Sequence, residues 1–180
     1  MKKNLDAVIN EVSNSPVRSS IITAAALIDT ALKTLIERRF IKLDKKTSDN
    51  IWKSFDFAAK ERIAYAMGLI SKELYEDIDS YRKIRNKCAH NFVLDEKSMK
   101  SIKDTAKNFK LLKAVFRFDE NENVKFYTIF EFLIIFIALE KRINNVDRCE
   151  EFRFEAYDDY LKYDNRDYEL LTHFDETFKI

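Results

Sequence analysis

One glycine, Gly68, and one proline, Pro16, serve a chain of 180 residues. Tight hairpins want residues that tolerate positive φ, chiefly Gly and Asn, and strand-rich folds need many such turns. A single glycine therefore argues against a sandwich, a barrel or a glycine-rich phosphate loop, and helices are expected to account for most of the chain. Lys and Arg number 32 against 31 Asp and Glu, a net charge of +1, which fits neither a basic nucleic-acid tail nor an acidic disordered chain. With 46% hydrophobic residues, 15 Phe and 8 Tyr, the chain can bury a core of its own. The expected fold is all-α, a helical bundle.

The periodicity fills in that bundle. Ile21, Ala25, Ile28, Leu32 and Leu35 recur at steps of four and three, one face of a helix to about Phe40, with Ser19 or Ser20 as its cap. Thr47 or Ser48 can cap a short helix through Trp52 and Phe55. Asp56 can cap Phe57 to Met67, which Gly68 stops. Ser71 can cap a helix from Lys72 to about His90, with Glu73 in its first turn suiting the helix dipole. Asp95 opens a basic helix to about Val115, and a turn over 118–124 leads into the most apolar helix, Phe126 to Val146, the expected bundle centre. Residues 1–147 form the expected helical core. Residues 148–180 carry ten acids against five bases, −5, leaving +6 on the rest, and with their Phe and Tyr are expected to pack on the same domain.

The N-terminus lacks the apolar stretch of a signal peptide. The run Phe132 to Leu139 is shorter than the roughly 18 residues that span a bilayer, so the expectation is a cytoplasmic protein with no membrane partner. Cys88 and Cys149 are expected to be reduced and structural. No CxxC, HExxH or His/Cys cluster suggests a metal, and no cofactor is expected.

Chemistry concentrates in Tyr81-Arg82-Lys83-Ile84-Arg85-Asn86-Lys87-Cys88-Ala89-His90. Leu74, Ile78, Tyr81, Cys88 and Phe92 lie on one helical seam, and the position that completes it is Arg85. A guanidinium there needs a carboxylate, a backbone partner or a bound anion. Asn86 and His90, four apart, share the neighbouring face. Arginine can hold a phosphate bidentately, and histidine can move a proton near neutrality. RNA supplies its own nucleophile, the 2′-hydroxyl, so such a site would need no metal. Two structural readings stand beside this one. Arg85 could pair with Asp29, the lone acid of Ala24 to Leu32, and His90 could cap its helix C-terminus.

Arg85-Asn86-Lys87-Cys88-Ala89-His90 resembles the R-x4-6-H motif of the HEPN superfamily. Around it, Ala24 to Leu32, then Ser54 to Lys60, then Ala64-Tyr65-Ala66-Met67-Gly68-Leu69-Ile70-Ser71, then Tyr81 to His90 look like the mannitol operon repressor family in the same order, over about Ser19 to Asn108. The resemblance implies an all-helical, HEPN-like core. HEPN members include metal-independent RNases of toxin–antitoxin and phage-defence systems, as well as non-catalytic RNA-binding or partner-binding proteins. In the catalytic ones the motif Arg and His act across a dimer. Carried over, Arg85 would hold the scissile phosphate, His90 would be the acid and base, and Asn86 would position them. We add Asp29 as the residue that orients Arg85.

The leading expectation is thus a homodimeric, RNA-targeting, metal-independent endoribonuclease, a toxin or defence effector. A basic stretch from Lys72 to Lys113, eleven Lys or Arg against seven acids, lies beside the motif. The alternative is a non-catalytic regulator with a protein partner, like the repressor family. Sequence-specific DNA binding ranks last, because the chain shows no helix-turn-helix and its charge is balanced.

Overall fold

The computed structural model describes residues 12–40, 43–91, 94–115 and 123–146. Within them the chain is helical with no strand, as the scarcity of turn residues requires. The acidic aromatic segment 148–180, Cys149, Phe92 and most of the expected turn over 118–124 lie outside the described residues.

Helix α1 spans Val17–Glu37. It starts right after Pro16, so neither Ser19 nor Ser20 caps it. Ser20 is buried instead, and its hydroxyl donates within reach of the carbonyls of Val12 (2.6 Å), Ser15 and Pro16. The stripe Ile21, Ala25, Ile28, Leu32 and Leu35 is buried as its spacing predicts. By length and apolarity α1 could cross a membrane, a property the apolar run of the last helix had not suggested. Its buried stripe and its contacts with three other helices make it a core helix of the bundle.

Helix α2 covers Lys45–Lys53, three to four residues earlier than Thr47 or Ser48 would allow as caps. The cap is Asp44, whose carboxylate accepts from the Thr47 backbone N–H (3.0 Å) and hydroxyl (2.6 Å). These bonds hold the Asp44 carboxyl below the usual range. Helix α3, Phe57–Ala66, is capped by Asp56, which accepts from Ala59 N–H at 2.8 Å. It ends on Gly68 at φ 64°, with Leu69 N–H bonded to the Ala64 carbonyl and Gly68 N–H to that of Tyr65. That double closure satisfies the last carbonyls, and it needs the residue without a Cβ.

Helix α4, Lys72–His90, starts at the Ser71 cap and ends at the expected residue. It packs against all the helices that follow it and against α1 and α3. The basic stretch after Asp95 is two helices, α5 over Glu96–Ala106 and α6 over Lys110–Val115. The break has a tertiary cause. Phe109 is driven into the core, and Asp77 of α4 accepts from the backbone N–H groups of Lys110 (2.6 Å) and Leu111 (2.7 Å), capping a new helix from 33 residues away.

Helix α7, Val124–Asn145, buries Val124, Tyr127, Thr128, Glu131, Phe132, Ile135, Leu139 and Ile143. It is therefore one-sided, and α4 has the more central place. Cys88 is buried as a free thiol, and burial pushes it up to about 11, so it is inert at neutral pH, as expected of a structural cysteine.

Candidate functional site

Where α1, the start of α3 and the second half of α4 meet, the helices leave a groove of about 450 Å³. It exists partly because α1 presents Ala25 and Ala26 there. Ile22, Phe55 and Phe57 add apolar walls, and Asp29, Lys60, Arg82, Arg85 and Asn86 supply the polar groups. Three of the four residues singled out from the sequence, Asp29, Arg85 and Asn86, thus border one cavity. His90 does not line it.

Arg85 is exposed, which corrects its placement on the inward seam. Ile84 takes the core position between Tyr81 and Cys88, at steps of three and four. On an ideal helix Arg85 stands only about 40° round from Tyr81, so its backbone does face the bundle. Its side chain stays exposed because the groove opens at that point. The guanidinium donates to Asn86 Oδ1 at 3.0 Å.

Asp29 is engaged elsewhere. Lys60 Nζ lies 2.7 and 2.8 Å from its two oxygens, and the Lys60 side chain is only 11% exposed. The role of Asp29 as the residue that orients Arg85 is therefore withdrawn: its lone pairs satisfy an ammonium that α3 carries inward. Replacing Asp29 by alanine should cost about 2 kcal/mol of stability in urea unfolding, since Lys60 would lose its counter-charge while largely desolvated. A loss below about 0.5 kcal/mol would show that Lys60 reaches water without help.

His90 is exposed at the last position of α4. Residues five apart on a helix point about 140° away from each other, and the helix runs unbroken through His90, so no chain reversal brings it to Arg85. It stands in the last turn, where the helix dipole favours a basic residue, and Arg18 of α1 bonds a terminal carbonyl there, donating from Nε to Cys88 at 2.8 Å. Lys87, between them, binds the Ser101 carbonyl and hydroxyl and the Thr105 hydroxyl, fastening α4 to α5.

The groove wall contains a second ion pair. Glu61, with no exposed surface, accepts from Arg82 Nε at 3.0 and 3.1 Å, and Arg82 also binds Asp79, which reaches Lys83 in turn. Burial pushes the Glu61 carboxyl up to about 7, although the Arg82 guanidinium opposes the shift. Arg82 is itself raised by these two carboxylates against the opposing effect of burial.

Lys60, Glu61 and Arg82 were missed in the sequence. A signal existed: Phe57, Lys60, Glu61 and Ala64 form one stripe of α3, so two charges sit on an inward face. No local pattern says which residues, 31 and 21 positions away, neutralise them.

No protein-family profile matches the chain, and no curated protein matches it. Among solved structures, it is similar to a chain of the X-ray structure of the MtlR–HPr complex from Escherichia coli, with TM-score 0.53 and 17% identity over 74% of this chain and 98% of that one. The likeness takes in nearly the whole neighbour and shows a shared all-α fold, in agreement with the mannitol repressor resemblance of the sequence.

Proposed function

We propose that this chain is a non-catalytic regulatory protein that works by binding a partner protein, with the groove between α1, α3 and α4 as the contact surface. The observation that carries this reading is the dispersal of the expected catalytic set. Asp29 is bound to Lys60, Arg85 and Asn86 border the groove, and His90 stays outside it. An exposed guanidinium above an apolar floor suits a carboxylate side chain docked from a partner, the kind of anchor that dominates interfaces. The structural neighbour was captured in complex with HPr, which makes HPr the first partner to try.

The test is calorimetric titration of the full chain with purified HPr. Arg85→Glu is expected to weaken binding at least tenfold. Ala26→Trp should do the same by filling the groove from an exposed position, and His90→Ala should leave affinity unchanged. Absence of binding by the wild type would reject HPr as partner. RNA cleavage in EDTA that disappears in both Arg85→Ala and His90→Ala would overturn the reading and restore the dimeric endoribonuclease, with the exposure of Arg85 as its structural basis.

A further inference from the structure

Helix α7 is apolar around most of its circumference. One stripe faces the bundle. On the opposite side Phe126, Ile129, Leu133 and Ile137 follow at steps of three, four and four, with Phe136 beside them, and the first charge on that side is Glu140. Phe126 is 39% exposed and Ile137 half-buried, while Ile129, Leu133 and Phe136 are half-buried with part of their surface packed on the core. A surface helix of a bundle normally turns charged residues outward; one that is apolar on both sides is built to be covered on both.

The chain itself continues from the end of α7 for 34 residues beyond Val146. Phe154, Tyr157 and Leu161 are spaced three and four apart, as are Leu171, Phe174 and Phe178. Asp158, Asp159, Asp175 and Glu176 fall between them, so each triplet reads as the apolar side of an amphipathic turn of helix. The apolar surface that α7 leaves open and the two apolar triplets of the sequence that follows it therefore belong to one chain.

The distances agree. Phe126 to Ile137 extends about 16 Å along the helix, and Ile137 is about 13 Å from the C-terminal end, within reach of a few residues that double back. The tether sets an effective concentration in the millimolar range, which a second copy in solution does not reach. The charge of −5 on 148–180 also complements the +6 on the rest.

We infer that residues 150–180 fold back along the outward side of α7 and complete the bundle, with the Phe154 and Phe174 triplets seated on Phe126, Ile129, Leu133 and Ile137. This cover is independent of the groove, which is formed by other helices.

Hydrogen exchange on the full chain tests it. Amides of 150–180 should be protected at least tenfold over their unstructured rates. In the Leu133→Lys/Ile137→Lys variant that protection should vanish, while α4 amides keep theirs and show the core is folded. Should that variant fail to fold, Leu171→Asp/Phe174→Asp, which changes no residue of the described helices, is expected to release the segment equally. A segment unprotected in the wild type, or still protected in a folded variant, would overturn the inference. So would a wild-type dimer that sediments as a monomer in the Leu133→Lys/Ile137→Lys variant, which would assign the face to a second copy.

Discussion

Replacing Asp77 by alanine should destabilise the protein by about 4 kcal/mol, because one carboxylate serves three helices at their junction. Asp77 has no exposed surface. Its two oxygens accept from the N–H groups of Lys110 and Leu111 at 2.6 and 2.7 Å, the first turn of α6. Removing them deprives a helix of its cap and leaves the buried Leu111 N–H and the part-buried Lys110 N–H without their acceptor, about 1–3 kcal/mol each. The third partner is Glu131 of α7, also without exposed surface, whose oxygens find no well-formed donor. Burial and the neighbouring Asp77 charge push the Glu131 carboxyl well above its usual range. Burial raises Asp77 too, but its two backbone N–H bonds oppose the shift. Of the two carboxyls, Glu131 is therefore the one expected to hold a proton and to offer it to Asp77.

That assignment has its own consequence for pH. A carboxyl with a raised folded pKa contributes stability that is complete below about 4.5 and is lost as pH rises toward the folded value. Glu131→Gln keeps a donor toward Asp77 and removes the titration. In urea unfolding it should therefore lose ground to wild type at pH 5 and match or exceed it at pH 8. If Asp77→Ala cost less than about 1 kcal/mol, or if Glu131→Gln were worse at pH 8 than at pH 5, the proton-sharing junction would be wrong.

Local chemistry made much of the bundle legible. Asp56 and Ser71 cap the helices they were expected to cap, and Gly68 takes the positive φ that ends α3. These features act within four residues of themselves, so adjacent letters specify them. The division between α5 and α6 was not legible, because its cause, Asp77, is distant in sequence. The same limit governs the site. Periodicity put Arg85 on the inward seam, yet its side chain is exposed, because whether that side meets a helix or a groove depends on how α1 and α3 pass it. The charges of Asp29, Lys60, Glu61 and Arg82 can all be read as inward from spacing. Which cation meets which carboxylate cannot, and the choice of Lys60 over Arg85 decided what Asp29 does. The outward side of α7 was concealed by its own apolarity, since a helix apolar all round reads as a bundle centre.

Arg82→Met should cost about 3 kcal/mol at pH 8.5 and no more than about 1 kcal/mol at pH 5. The difference follows from Glu61, buried completely and dependent on Arg82 for its charge-assisted hydrogen bonds. With its carboxyl raised to about 7, Glu61 binds a proton more tightly in the folded chain than in the unfolded one. Its contribution to stability is whole below about pH 4.5, falls as pH rises, and levels off above about 7, a total near 3 kcal/mol at about 1.4 kcal/mol per pH unit. Without the guanidinium the folded value climbs further, so the decline no longer levels at 7 and the variant falls behind wild type mainly on the alkaline side. At pH 5 the folded carboxyl is already neutral and loses little with Arg82, apart from the part-buried contact to Asp79. The double variant Arg82→Met/Glu61→Leu should recover most of the loss at every pH, because an apolar pair of similar volume avoids the desolvation of both charges. Urea midpoints at pH 5, 7 and 8.5 for the three proteins decide it; equal losses across that range in Arg82→Met would mean that Glu61 is not the group that titrates. The same proton matters at the groove. Below about pH 7 Glu61 is neutral, so the positive charge of Arg82 in the wall is balanced by one carboxylate fewer, and a carboxylate-bearing partner should bind more tightly at pH 6 than at pH 8.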